Sequence, residues 1–365
     1  MTLSTAPMLD IIRDTLGAIK SISPLRLKNA QAHLDSLTKP PGSLGLLEDL
    51  AKKYVAIRDT DHPSISKKAV IVFTADHGVT EEGISAYPAE VTPQMVQNFL
   101  DGGAAINVLA RQQNAEVLIV DMGVNHRFAP HPDLLDRKIA FGTRNMAKEP
   151  AMTRAEAEES IAIGIQIAAQ LAVKGVDLLA TGEMGIGNTT ASSAIFSVLG
   201  NLPANQVTGR GTGIDDTALN KKISVIQKAL EIHSPNPEDP IDILAKVGGF
   251  EIGGIMGLLL GASAKNIPVV IDGLISSAGA SLAIKLNPSV KDYIFPSHRS
   301  VEPGQKVFFD LMETPPLFDL KMRLGEGTGA VLAFGMIEAS VKIFNEMATF
   351  QSAGISDRGK IQRFP

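Results

Sequence analysis

Short β-branched runs alternate with longer stretches of helical periodicity through most of this 365-residue chain. AVIVFTA (69–75), AEVLIVDMG (115–123), VDLLATG (176–182), IPVVIDG (267–273) and DYIFPS (292–297) read as strands. Strands alternating with helical segments make βα units and a parallel sheet. Open parallel sheets bind ligands outside the carboxyl ends of their strands, so ADHG, DMG, GEMG, IDG and PSH are expected on one rim. Outside this core, 8–20, 44–58 and 329–348 read as helices, with Ser43 after the Pro40-Pro41 stop as an N-cap. The expected architecture is an α/β domain over 60–325, beside a smaller helical domain drawn from 1–59 and 326–365. The polar tail 352–365 reads as an arm that orders only against something else.

Composition narrows the class of partner. Hydrophobic residues make up 44% but aromatics 5%, with no Trp, so burial rests on aliphatic side chains packed around 33 glycines. A formal charge of −5 with scattered Lys and Arg gives no basic field for nucleic acid, which leaves a small molecule. With no Cys, disulfides, thiolate metal sites and cysteine nucleophiles are excluded. The apolar stretch at 252–264 is shorter than the roughly 20 residues of a membrane span. Asp10 and Asp14 interrupt the first apolar pattern, which does not have a signal-peptide layout, so a cytoplasmic protein is expected.

Residues 182–190, GEMGIGNTT, keep the register of a triphosphate P-loop at Gly182, Gly187 and Thr189 but place Asn188 where its lysine belongs. The turn follows a strand and opens a helix, so its N–H groups and the helix N-terminus face an anion. Without a lysine to follow a transferring γ-phosphate, a monophosphate suits it better. A ligand-free strand-to-helix turn is the alternative. A second turn, VTGRGTGIDD (207–216), adds Arg210 and Thr212. Neither turn completes G-x-G-x-x-G, and Asp215-Asp216 lack the apolar run that precedes the acid pair of a pyrophosphate- and magnesium-binding donor site.

In RLGEGTGAVLAFGMIEA (323–339), Glu326 lies between two glycines ahead of an apolar helix. A partly desolvated Glu there has a raised pKa and serves as a general base, whereas an exposed one would only complement the helix dipole. The polar excursion 74–107 contains Asp76, His77, Glu81 and Glu82, too dispersed to define a cation site, and no metal or cofactor is expected. Tyr87 and Gln94 flank Pro88 and either present a flat face and an amide to an aromatic ligand or belong to a surface loop. Ser297 and His298 lack a G-x-S-x-G elbow, so a hydrolase triad is set aside.

Six motifs in order carry a family resemblance: LTKPPGSLGLLEDLA, ADHGV, SAYPAEVTPQMVQNF, GEMGIGNTTASSA, GRGTGID and RLGEGTGA. In them the chain resembles the nicotinate-nucleotide–dimethylbenzimidazole phosphoribosyltransferases, which make α-ribazole phosphate for the lower nucleotide loop of cobalamin. The resemblance implies a Rossmann-like parallel sheet with a smaller helical domain, a homodimer, and nicotinate mononucleotide and 5,6-dimethylbenzimidazole as substrates. It implies Glu326 as general base and Tyr87, Gln94, Met184 and Ala86 around the acceptor base. For the nucleotide it implies Glu183, Gly185 and Gly211 beside Gly187, Asn188 and Thr189, with Lys222, Asp272 and Ser300 as weaker correspondences. Two readings stay open beside it: a nicotinamide-dependent dehydrogenase, which the missing fingerprint opposes, and a non-catalytic nucleotide sensor.

Overall fold

The computed structural model describes residues 8–356. Six strands form one parallel sheet: β1 (Lys68–Ala75), β2 (Glu116–Gly123), β3 (Leu134–Asp136), β4 (Leu178–Met184), β5 (Val269–Ile271) and β6 (Ile294–Pro296). Their order is β3-β2-β1-β4-β5-β6, the doubly wound arrangement, and every neighbouring pair is parallel. The five runs expected as strands are all present. The third of these, β4, runs two residues further than expected, so Glu183 and Met184 belong to the strand end itself.

β3 was not foreseen: it is three residues long, half-exposed and on the sheet edge, too short for an alternating pattern. The helix Pro24–Ser36 was also missed, because its sequence is mostly polar and buries only Ala30 and Leu34. Its start is nevertheless well specified, with Ser23 as N-cap and Pro24 at the first helical position. The expected cap at Ser43 is displaced. A turn at Gly42–Gly45 intervenes, and Gly45, at φ +54°, precedes the helix Leu46–Arg58.

Glycine allows the closest helix packing in the core. The helix Phe250–Ala264 is buried almost throughout, apolar apart from Glu251 and Ser263, and lies against Arg154–Val173. A methyl group at Gly164 would strike the Gly254 carbonyl, and one at Gly257 the Ile161 carbonyl. The two backbones therefore approach to a distance that only Gly permits. That run is a buried core helix, and none of the described helices is long and apolar enough to cross a membrane.

Helices from both chain ends share a small apolar cluster of Ala30, Leu34, Leu37, Ala51, Val55 and Phe344. Thr38 N–H donates to the Ala348 carbonyl at 2.9 Å across this junction. The carboxyl-terminal helix Thr328–Glu346 also packs on β4 and β5. It thus connects the sheet to the terminal cluster. The tail is exposed as far as residue 356; its remainder, 357–365, and the first seven residues lie outside the described part.

Candidate active site

β1 and β4 are neighbours in space, and from them the sheet winds in opposite directions. Their carboxyl ends are the switch point, where open sheets bind ligands. A cavity of about 480 Å³ opens there, bordered by residues 183–186, 188–189, 211–212, 273–275, 298, 300, 302 and 323–326. Of the strand ends anticipated on this rim, GEMG, IDG and PSH contribute to the cavity wall, while ADHG and DMG do not line it.

Glu326 projects into this cavity from a strained turn. Its φ is +63°, a left-handed conformation unfavourable for a side-chain-bearing residue and often retained at functional sites. The turn is pressed onto the sheet: a side chain at Gly182 would collide with the Glu326 carbonyl. One carboxylate oxygen of Glu326 accepts the Ile106 N–H at 3.1 Å. Burial raises its pKa above the ordinary carboxylate value; the Ile106 bond opposes this, and the charge of Asp272 adds to it.

Asp272 stands behind that turn and does not line the cavity. Its carboxylate accepts N–H bonds from Gly327 (3.2 Å), Gly329 (2.8 Å) and Ala330 (3.1 Å). It caps the helix that begins at Thr328 and so anchors the residue next to Glu326. Both carboxylate oxygens are engaged by backbone, which gives Asp272 a supporting role for the turn that carries Glu326. His298 lies 3.9 Å from the same carboxylate and reaches the cavity wall, stacked on Phe318.

Glu183 is the second carboxyl group in the cavity. Burial, then the charges of Asp272 and Glu251, push its pKa well above the carboxylate range, against a hydrogen bond from the Asn188 amide. The protonated form of Glu183 is favoured more strongly than that of Glu326, which leaves Glu326 the better proton acceptor of the two. Asn188, in the place of a P-loop lysine, is thus a hydrogen-bond donor to Glu183.

The two glycine-rich turns form part of the cavity wall. Thr189 and Gly211 belong to it, with Ser300 and Thr212. Lys222 lies behind Thr189, donating to its hydroxyl at 2.8 Å, and burial lowers the ammonium pKa to about 8. Gly187, at φ +101°, caps the helix Asn188–Gly200 and faces away from the cavity. Two charged residues here were not singled out by sequence. Glu302 accepts the Gly211 N–H at 2.9 Å, and Arg323 donates to the Gly211 carbonyl at 3.2 Å. Arg323 lies in the RLGEGTG motif, but its partner is 112 residues away, beyond any local pattern.

Apolar side chains make up much of the remaining wall: Val91, Met95, Met184, Ile186, Leu274, Ile275 and Leu324, with Tyr87 also on the wall and 55% exposed. Two expected acceptor contacts are displaced from the lining. Gln94 is exposed on the helix Val91–Leu100, since Val91 and Met95, four residues apart, take the inward face. Ala86 is exposed in the preceding loop, tied by its N–H to Thr212. Among the described residues no group of His, Asp or Glu is arranged to hold a metal ion.

A doubly wound sheet whose switch-point cavity gathers glycine-rich turns, apolar side chains and a desolvated carboxylate is suited to group transfer on a small molecule. A phosphoribosyltransferase family model matches residues 19–355. The chain belongs to the nicotinate-nucleotide–dimethylbenzimidazole phosphoribosyltransferase family. A relative of that name from Geobacter sp. strain M21 is 54% identical over 348 residues, covering 95% of this chain and 100% of the relative. One from Chloroflexus aurantiacus is 53% identical over 350 residues, covering 96% and 100%. Among solved structures, CobT from Thermus thermophilus matches with a TM-score of 0.88 at 44% identity, covering 91% of this chain and 99% of that one.

Proposed function

We infer that the protein transfers the phosphoribosyl group of nicotinate mononucleotide to 5,6-dimethylbenzimidazole, giving α-ribazole 5′-phosphate and nicotinate for assembly of the cobalamin nucleotide loop. The observation that carries this reading is the position of Glu326, a desolvated carboxylate facing the same cavity as the glycine-rich cradle and the apolar slot. The family membership agrees with it.

The chemistry needs a base more than an acid. In the donor, the glycosidic nitrogen is a pyridinium, so the C1′–N bond breaks with its electron pair passing to nitrogen and needs no protonation. In the acceptor, one ring nitrogen attacks C1′ while the proton on the other must leave, and Glu326 takes it. The 5′-phosphate does not react; the 185–189 and 211–212 turns hold it and so fix C1′ against the acceptor. Attack opposite the leaving group converts the β-nucleotide into an α-riboside.

We further propose that the active form is a homodimer and that the helices from both chain ends act as a separate small unit beside residues 60–325. Support comes from the exposed apolar Tyr87 and Leu324 on the cavity wall and from the second apolar cluster shared by the two ends. Light scattering after size exclusion reads the mass directly. A cytoplasmic location is proposed on the same footing. The activity itself is tested by incubating the protein with both substrates in excess chelator. Nicotinate release that requires the benzimidazole supports the reading, and release without it, or none at all, opposes it.

A further inference from the structure

The glycine-rich turn rests on a buried ion pair that does not itself line the cavity. His77 Nε2 lies 2.7 Å from Glu251 Oε1, with both side chains sealed from solvent. Burial alone would expel the proton from this imidazole, but Glu251 and then Asp76 outweigh it and hold the His77 pKa above its ordinary value. Glu251 sits in the first turn of the helix Phe250–Ala264, the apolar helix packed against β1 and Arg154–Val173. The pair therefore ends on one of the most deeply buried elements of the molecule.

The turn has no freedom above it. A side chain at Gly185 would strike the Ala75 carbonyl and meet His77 Cδ2 at 3.5 Å, and one at Gly187 would meet His77 Cβ and Thr80 Cγ2 at 3.0 Å. From the other side, Thr92 Oγ1 accepts the Ile186 N–H at 3.1 Å. At the base of the pair, a side chain at Gly249 would run into both His77 and Glu251. The turn thus lies directly on the imidazole, and the imidazole is fixed by Glu251.

We propose that His77 and Glu251 are positioning residues for the donor nucleotide, holding the 185–189 turn where it receives the 5′-phosphate without touching substrate themselves. The proposal rests on the reading of the cavity as a nucleotide site. Removing the pair would let the turn sink toward the vacated space, which weakens donor binding; of the apolar lining only Ile186 belongs to that turn, so Val91, Met95, Leu274 and Ile275 keep their places. A merely structural role would lower stability with no preference between the two substrates.

Steady-state kinetics and calorimetric titration with nicotinate mononucleotide separate these cases. Glu251→Ala is expected to weaken donor binding on the order of 10-fold or more, a loss typical of sub-ångström misplacement, while the acceptor KM stays within about twofold. Glu251→Gln, which keeps a hydrogen-bond partner for His77, is expected to recover most of that loss. Unchanged donor affinity in folded Glu251→Ala, or equal damage to both KM values and kcat, overturns the proposal. Should Glu251→Ala not fold, His77→Gln decides: weakened donor binding with an intact acceptor KM supports the proposal, and intact donor binding overturns it. Titration with ribose 5-phosphate reads the turn without any turnover, so absence of transferase activity in the unsubstituted protein would count against the function alone.

Discussion

The Glu326 carboxylate accepts the main-chain N–H of Ile106 at 3.1 Å, joining the carboxyl-terminal turn to the first turn of the helix Ala105–Gln112, 220 residues earlier. A helix N-terminus favours the charged carboxylate, and burial disfavours it. Burial prevails, raising the pKa and so the basicity of a group whose orientation is fixed by a backbone donor. Glu326→Gln keeps an oxygen for Ile106 but cannot take a proton. Its kcat is expected to fall about 10²–10⁴-fold with donor affinity nearly unchanged. Equal losses in kcat and in affinity measured by calorimetry would make Glu326 a binding residue.

The acid limb of the rate profile follows from the same group. Because the Glu326 pKa is raised, protonation removes the base at a pH above the ordinary carboxylate value of 4.5. The kcat of the unsubstituted protein is expected to fall as pH drops through that raised value. In Glu326→Gln this limb should vanish; a limb that persists unchanged assigns it to another group, Glu183 first.

Asp272 supports the base at one remove. Asp272→Ala leaves the N–H groups of Gly327, Gly329 and Ala330 without their acceptor, a loss of roughly 1–3 kcal/mol for buried unsatisfied donors. The unfolding midpoint should drop, and kcat should suffer more than acceptor KM, because the turn carrying Glu326 loosens. Unaltered stability in denaturant titration would contradict the capping role.

Much of this site is legible along the chain, and what is missing has a physical reason. The GEMGIGNTT turn, the Glu326 turn and the strand ends are local features, set by glycine placement and hydrophobic runs. Asp272 looks like one more acid at a strand end until the backbone of residues 327–330 folds onto it. Lys222 is invisible as a buried cation, because its helix Asp216–His233 is amphipathic and lysine belongs on the polar face of such a pattern. Gln94 shows the converse: its motif is right, but its place relative to the cavity depends on helical phase, which here puts Val91 and Met95 on the wall and leaves Gln94 exposed.

The Lys222 ammonium yields a prediction of opposite sign to the usual ion-pair case. Its folded pKa, about 8, is depressed from 10.5 by burial, with Glu302 only partly offsetting that cost. Between these values the unfolded chain binds the extra proton, so this residue makes stability rise with pH across that window. Below about pH 8 the full cost of burying the charge is present. Lys222→Met should remove the rise in a pH series of denaturant titrations. On the proposed reading the ammonium supports the donor phosphate from behind Thr189, so donor affinity should weaken above about pH 8 in the unsubstituted protein and lose that dependence in Lys222→Met. A pH-independent donor affinity in the unsubstituted protein would contradict this.

The central claim is an inverting phosphoribosyl transfer, and the anomeric configuration of the product tests it most directly. Nicotinate mononucleotide and 5,6-dimethylbenzimidazole are incubated with the protein, and the riboside is isolated and examined by proton NMR at C1′. The account predicts an α-linked benzimidazole riboside 5′-phosphate formed in equal amount with nicotinate. A β-linked product, or free ribose 5-phosphate in place of a riboside, would contradict it.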